Sequence, residues 1–340
     1  MNKDEEQPPI DADSMLSVST DEDVFDNLSL SADSIAMSDE VRDYVYENSR
    51  RYHKYQEGRY HFPNDDAEQE REDLQHAMFT LLCDGKLHFA PLDNPRSILD
   101  IGTGTGIWAI EMGDEYPDAE ILGIDLSPIQ PLWVPRNVQF MVDNVEEEWL
   151  QPAGSLDYVH ARQMASTIRD WPALMAEVFK ALKPGGWFEL QDLKCGIGCD
   201  DDTLREDNAV ADFLDKIAGA MKILGVDCLG ALENYERWLR EAGFVNVKKV
   251  LLKAPVGTWP KDPQQSKIGL YSRNMMYDGL HGFAIRPFTH GFDWTPEEVE
   301  VYLVNVRKAV LRSKAHIYIP FHCIYAQKPP EPAAAAARSR

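Results

Sequence analysis

From residue 97 onward, short apolar runs alternate with stripes of helical spacing. The pattern predicts strands at Ser97–Ile101, Ala119–Asp125, Val138–Asp143, Leu156–Ala161 and Trp187–Asp192. Between them it predicts helices at Ile107–Glu115 and Pro172–Leu182, the second starting on a proline after Trp171. Two more helices are expected at about Thr203–Leu224 and Ala231–Ala242, the latter stopped by Gly243. A strand at Phe244–Lys253 follows, and the alternating HIYIPFHCIYAQKP reads as a closing strand. Thr295-Pro296-Glu297-Glu298 is a capping box opening a helix to about Arg312. Upstream, residues 65–82 carry an apolar stripe of Leu74, Ala77, Met78, Leu81 and Leu82. Strand alternating with helix implies a parallel sheet covered on both faces. No internal repeat is present.

The ends of the chain are different. Residues 1–40 hold twelve acids against one lysine, and so −11 of the net −23. With one aromatic, Phe25, and seven serines they cannot bury enough apolar surface to fold alone, and a disordered acidic tail is expected. The remainder still carries −12, which argues against a nucleic-acid face. The segment 329–340, rich in alanine, reads as a second flexible end. No apolar run approaches the roughly 18 residues of a membrane span, and the acidic N-terminus lacks the apolar stretch of a signal peptide. Five cysteines, odd in number, suggest a reducing compartment. The chain is thus expected in the cytoplasm or nucleus rather than secreted. Cys195 and Cys199 form a lone C-x3-C with no partner pair, so no metal site is expected. The expected organisation is a tail at 1–40, an N-terminal helical segment at 41–95 and one domain at 96–328.

The candidate chemistry lies in ILDIGTGTGIW, Ile98 to Trp108. Gly102, Gly104 and Gly106 follow the first predicted strand directly, where a doubly wound sheet binds its ligand. A dinucleotide and S-adenosylmethionine are the two ligands to weigh. The dinucleotide fingerprint needs a third glycine where this chain has Ile107. Asp100 would oppose a pyrophosphate but attract the ammonium of a methionyl group. Asp125, with Leu126 beside it, ends the second strand and can accept from both hydroxyls of a ribose. Asp143, Asn144 and Val145 end the third, where a carboxylate and a backbone amide can meet an adenine. Asp125 alone does not separate the two ligands, since NAD also has a ribose; three acids at successive strand ends point to a ligand site rather than to separate loop carboxylates, and the missing glycine with Asp100 favours S-adenosylmethionine.

These residues carry a resemblance. LDIGTGTGIWA, GIDLSPIQP, FMVDNVEEEW, the run from LDYVHARQ to PGGWFELQD, and the tyrosine-rich stretch before them resemble the fungal LaeA-like methyltransferases. The likeness spans about residues 44–328. It implies a class I (Rossmann-like) seven-stranded, mostly parallel sheet, S-adenosylmethionine as cofactor, methyl transfer, and a link to fungal secondary metabolism. Members include pathway enzymes acting on small molecules and regulators that associate with velvet-domain proteins. A scaffold that binds without turnover is a third possibility.

For the acceptor, residues 254–294 mix aromatics, methionines and glycines, as a mobile, mostly apolar lid would, with Met275 and Tyr277 as candidate substrate contacts. Methyl transfer asks chiefly for alignment, and well-oriented groups supply about 7–11 kcal/mol. A hydroxyl acceptor also needs a base, and His160, at the end of the fourth strand, is the candidate. Arg162 could orient an acidic substrate group or pair with a structural acid. Tyr52 and Tyr60 are candidates to close over the cofactor.

Overall fold

The computed structural model describes residues 43–312 and 314–331. The tail expected at 1–40 and most of that at 329–340 lie outside the described residues. The first elements correct an expectation. In place of a wholly helical segment, Tyr44–Glu47 (β1) and Arg50–His53 (β2) form an antiparallel hairpin. Asn48 and Ser49 both have positive φ, 49° and 61°, the conformation a two-residue hairpin turn demands. The Asp66–Leu82 helix (α1) then starts on Asp65, whose carboxylate accepts from the Glu68 amide (3.1 Å).

The central sheet contains Ser97–Ile101 (β3), Glu120–Asp125 (β4), Val138–Val142 (β5), Leu156–Arg162 (β6), Leu182–Leu193 (β7), the short Gly198–Cys199 (β8), Val245–Pro255 (β9) and Ile317–Gln327 (β10). Its order runs β5-β4-β3-β6-β7-β10, with β8 and β9 also pairing β10. The pairs among β5, β4, β3, β6 and β7 are parallel, and β10 is antiparallel to β7 and β9. This is the expected mostly parallel Rossmann-like class I arrangement. The chain winds outward from β3 to β5, then returns to place β6 on the other side of β3. Ligands of such sheets sit beyond the strand ends at that reversal, and the glycine loop leaves β3 there.

The covering helices are Ile107–Glu115 (α2), Trp171–Ala181 (α3), Ala209–Ile223 (α4), Cys228–Glu241 (α5), Pro263–Gly291 (α6) and Pro296–Arg312 (α7). α2 buries Trp108, Ala109 and Met112 on the sheet, and α3 buries Leu174, Met175 and Val178. The capping box forms as its spacing predicts: the Thr295 amide donates to Glu298 (2.8 Å) and the Glu298 amide to Thr295 Oγ1 (3.2 Å).

Most of the segment expected as a mobile lid is α6, one helix of 29 residues. It buries Ile268, Met275, Met276, Leu280, Ala284, Ile285 and Phe288. Its glycines mark close packing rather than mobility. A Cβ at Gly269 would collide with the Gly257 carbonyl, and one at Gly282 would lie 2.9 Å from Arg50 Nη1. No helix among the described residues is long and apolar enough to cross a membrane.

Candidate active site

β3 and β6 run in register, with Asp100 opposite His160. Asp100 Oδ1 accepts from His160 Nδ1 (2.7 Å), and Asp100 Oδ2 accepts from Thr103 Oγ1 (2.7 Å). The imidazole stacks on the Trp108 indole, centroids 3.7 Å apart and planes within 8°. Asp100 and His160 side chains are 4% and 0% exposed. The acid expected to receive an ammonium and the histidine expected to act as base are therefore bonded to each other beneath the loop. Neither lines either of the two cavities above the loop, and His160 Nε2 is buried without a hydrogen-bond partner among the described residues. The pair fixes the start of the glycine loop instead.

Above the loop lie two cavities. One, of about 110 Å³, is lined by Gly102, Gly104, Asp125, Leu126, Asp143, Asn144 and Val145. These are expected residues of the first three strand ends, with Asp100 and Gly106 absent from the lining. Gly106 caps α2 at φ 81°, where a side chain would run into the Phe140 ring. Asp125 accepts from the Gly104 amide (2.9 Å) and the Ser127 amide (2.8 Å). Burial nevertheless pushes its carboxyl up to about 6. Asn144 donates to Gln56 Oε1 (2.6 Å), which ties the third strand end to the segment after the hairpin.

The second cavity, of about 220 Å³, lies toward α1 and α6. Phe62, Phe79, Phe213, Met275, Met276 and Ile319 give it an apolar wall. Arg162 and His76 provide polar groups. Arg162 donates to His76 Nδ1 (2.9 Å) while His76 Nε2 bonds Glu111 (2.9 Å), and the guanidinium lies over Phe79 at 5.2 Å. Burial lowers the pKa of Arg162. Met275 and Arg162 reach this cavity as expected. Tyr277 does not: it is 36% exposed and faces away on α6. Tyr52 also misses both cavities, because it is fully buried with the Arg286 guanidinium 3.8 Å above its ring. Arg286 is held in turn by Glu47 (2.7 Å).

The cavities meet along a wall to which Tyr60, Glu68, Glu72, Gly102, Gly104, Arg162 and Gln163 contribute. Two polar atoms on this wall are buried and have no hydrogen-bond partner among the described residues: Glu72 Oε2 and Gln163 Nε2. Burial first, then Glu68, Asp125 and Asp73, push the Glu72 carboxyl up to about 8, against the pull of Arg71. Neither residue stands out in the sequence by motif. The available signal was the polar content of α1, whose buried positions Glu68, Arg71 and Gln75 share one face at helical spacing. Leu74, Ala77 and Leu81 of the expected stripe are only half-buried.

Such a wall suits an adenosyl amino acid. It offers the carboxylate of Glu72, the backbone of Gly102 and Gly104, and an orphan acceptor beside an orphan donor.

Comparison with known proteins agrees. A methyltransferase-domain family matches residues 74–249, so the chain belongs to that family. It is 42% identical over 309 residues to "Methyltransferase pytC" of Aspergillus terreus, covering 90% of this chain and 95% of that protein. It is 34% identical to "Secondary metabolism regulator LAE1" of Cochliobolus heterostrophus, covering 83% and 94%. It is 30% identical to "Protein-methionine methyltransferase laeA" of Emericella nidulans, covering 83% and 76%. The protein is a LaeA-like class I methyltransferase, and its methyl donor is S-adenosylmethionine.

Proposed function

We propose that the protein methylates a small, largely apolar molecule of fungal secondary metabolism. The observation that carries this reading is the apolar cavity meeting the strand-end cavity at the glycine loop. Its similarity to the pytC methyltransferase, over nearly the full length of both chains, supports methyl transfer as the reaction. When bound, S-adenosylmethionine supplies an electrophilic methyl group on a sulfonium. Asp125 would hold the ribose, Asp143, Asn144 and Val145 the adenine, and the Gly102–Gly104 backbone would let the ligand approach.

The chain's own contribution is alignment and exclusion of water. Phe79, Met275 and Met276 enclose the acceptor apolarly, and Tyr60 lines both cavities at their junction. Arg162 is fixed by His76 and by the Phe79 ring, so its charge can orient a polar group on the acceptor. Holding reactants in one geometry contributes about 7–11 kcal/mol to such a transfer.

A second reading is favoured by the similarity to LAE1 and laeA: a regulatory methyltransferase, for which the family resemblance implies a velvet-domain protein as partner. Incubation of the protein and labelled S-adenosylmethionine with a fungal extract separates the two. Label in the small-molecule fraction supports the first reading. Label confined to protein supports the second.

A further inference from the structure

We propose that Glu72 and Gln163, not Asp100, hold the amino-acid end of the cofactor: Glu72 takes its ammonium and Gln163 its carboxylate. The assignment rests on the strand-end cavity being the cofactor's. Glu72 lies on α1, directly across the loop from Gly104, where a Cβ would stand 2.9 Å from Glu72 Oε2. Its side chain as a whole is 24% exposed, but Oε2 is buried and unpaired. Around it stand Glu68, Asp73, Asp125 and Tyr60 on the acidic side, with Arg71 and Arg162 opposing. Arg71 Nη2 comes within 3.9 Å of Oε1 only, so Oε2 remains unsatisfied. A buried acceptor without a partner is costly. An ammonium placed against Oε2 removes that cost.

Gln163 supplies the complement. Amide orientation must be assigned from the network, and here a chain of donors fixes it. Arg71 Nη1 can only donate, and it donates to Gln75 Oε1 (3.0 Å). Gln75 Nε2 must then face Gln163 Oε1 (3.4 Å), which leaves Gln163 Nε2 as a free buried donor. Gln163 also sits at φ 60°, uncommon for a residue other than glycine. Asp100 has no comparable vacancy, since both its oxygens are bonded to His160 and Thr103.

The proposal has a protonic signature. At pH 7 a carboxyl with pKa about 8 is mostly protonated, and an ammonium beside it favours the carboxylate. Binding therefore releases a proton from Glu72. Asp125, at about 6, is already largely ionised at pH 7 and adds little.

The test is calorimetry with S-adenosylhomocysteine and with 5′-methylthioadenosine, which lacks the amino-acid group, in buffers of different ionisation enthalpy. Wild type should release close to one proton with the first ligand at pH 7 and none with the second. Glu72→Gln should weaken S-adenosylhomocysteine by about 30-fold or more and abolish the release, as loss of one partner of a buried charged pair does. Gln163→Ala should weaken it by about 10-fold and keep the release. Both variants should bind 5′-methylthioadenosine like wild type, which also shows that they are folded. Equal losses for the two ligands, or unchanged affinity and proton release in Glu72→Gln, would overturn the proposal. If wild type binds 5′-methylthioadenosine yet releases no proton with S-adenosylhomocysteine, the Glu72 assignment fails while the cavity assignment stands. If wild type binds neither, both fail.

Discussion

Two acids face the glycine loop from opposite sides, and their surroundings differ. Asp100 comes from the sheet below, where His160 and Thr103 occupy its oxygens and Trp108 covers the imidazole. Glu72 comes from α1 above, borders both cavities and keeps one buried oxygen unpaired. Sequence position favoured Asp100, because it precedes the glycines on a strand. Hydrogen bonding favours Glu72, because a buried polar group without a partner is one for which the fold alone does not account. A satisfied buried acid builds the site, and an unsatisfied one awaits something.

Substitutions can break this contrast, and the largest effect belongs to the satisfied acid. Asp100→Ala removes the partner of a buried imidazole and should lower unfolding free energy by about 3–5 kcal/mol, read from urea denaturation. A change under about 1 kcal/mol would mean that the Asp100–His160 pair does not hold the loop. His160→Ala should likewise lower stability, yet leave turnover per folded, cofactor-binding molecule close to wild type. A turnover loss of about 100-fold on that basis would restore His160 to the chemistry.

Next is the loop itself. Gly104 has φ 57°, and a side chain there would press on Glu72 Oε2. Gly104→Val should cost about 100-fold or more in S-adenosylhomocysteine affinity, the scale of a few kcal/mol of strain and lost approach, while circular dichroism stays native. Wild-type affinity in that variant would remove the loop from the site.

The pH dependence of stability sharpens the comparison from another side. The folded pKa of Glu72, about 8, stands above its unfolded value of about 4.3. Between those values the folded protein keeps a proton that the unfolded chain has lost, so this group makes stability fall as pH rises. Above about pH 8 its contribution is flat. Denaturation of wild type and Glu72→Gln at pH 5 and pH 8 should show wild type losing more stability across the interval. Identical slopes would argue that the Glu72 carboxyl is not perturbed by burial.

The smallest effect is expected at Tyr277. It faces outward on α6, so Tyr277→Ala should change cofactor affinity and turnover by less than about twofold, whereas Met275→Ala should weaken acceptor binding. Equal damage from both would place the acceptor elsewhere.

What the sequence made legible follows from how local the physics is. The β3–β6 strands and α2 are set by apolar runs and a glycine turn and lie within a residue of their expected bounds, whereas β7 starts at Leu182, five residues before its expected start. The α7 capping box is likewise a contact between residues three apart. Asp125 and Asp143 reach the strand-end cavity because a strand end fixes where its next residue stands. The hairpin was missed because β1 and β2 are four residues each, and its turn, Asn48-Ser49, is not the usual asparagine-glycine. α6 was mistaken for a lid because its glycines reflect neighbours distant in sequence, such as Gly257 and Arg50. Glu72 and Gln163 lie 91 positions apart in the chain. Only the folded structure brings them to one wall, and only its hydrogen bonds reveal that each lacks a partner.

The most direct measurement is a crystal structure of the protein with S-adenosylhomocysteine. The account predicts the ligand's ammonium within hydrogen-bond distance of Glu72, its carboxylate on Gln163 Nε2, and the Asp100–His160 bond intact beneath the loop. An ammonium bound to Asp100, with His160 displaced, would contradict it.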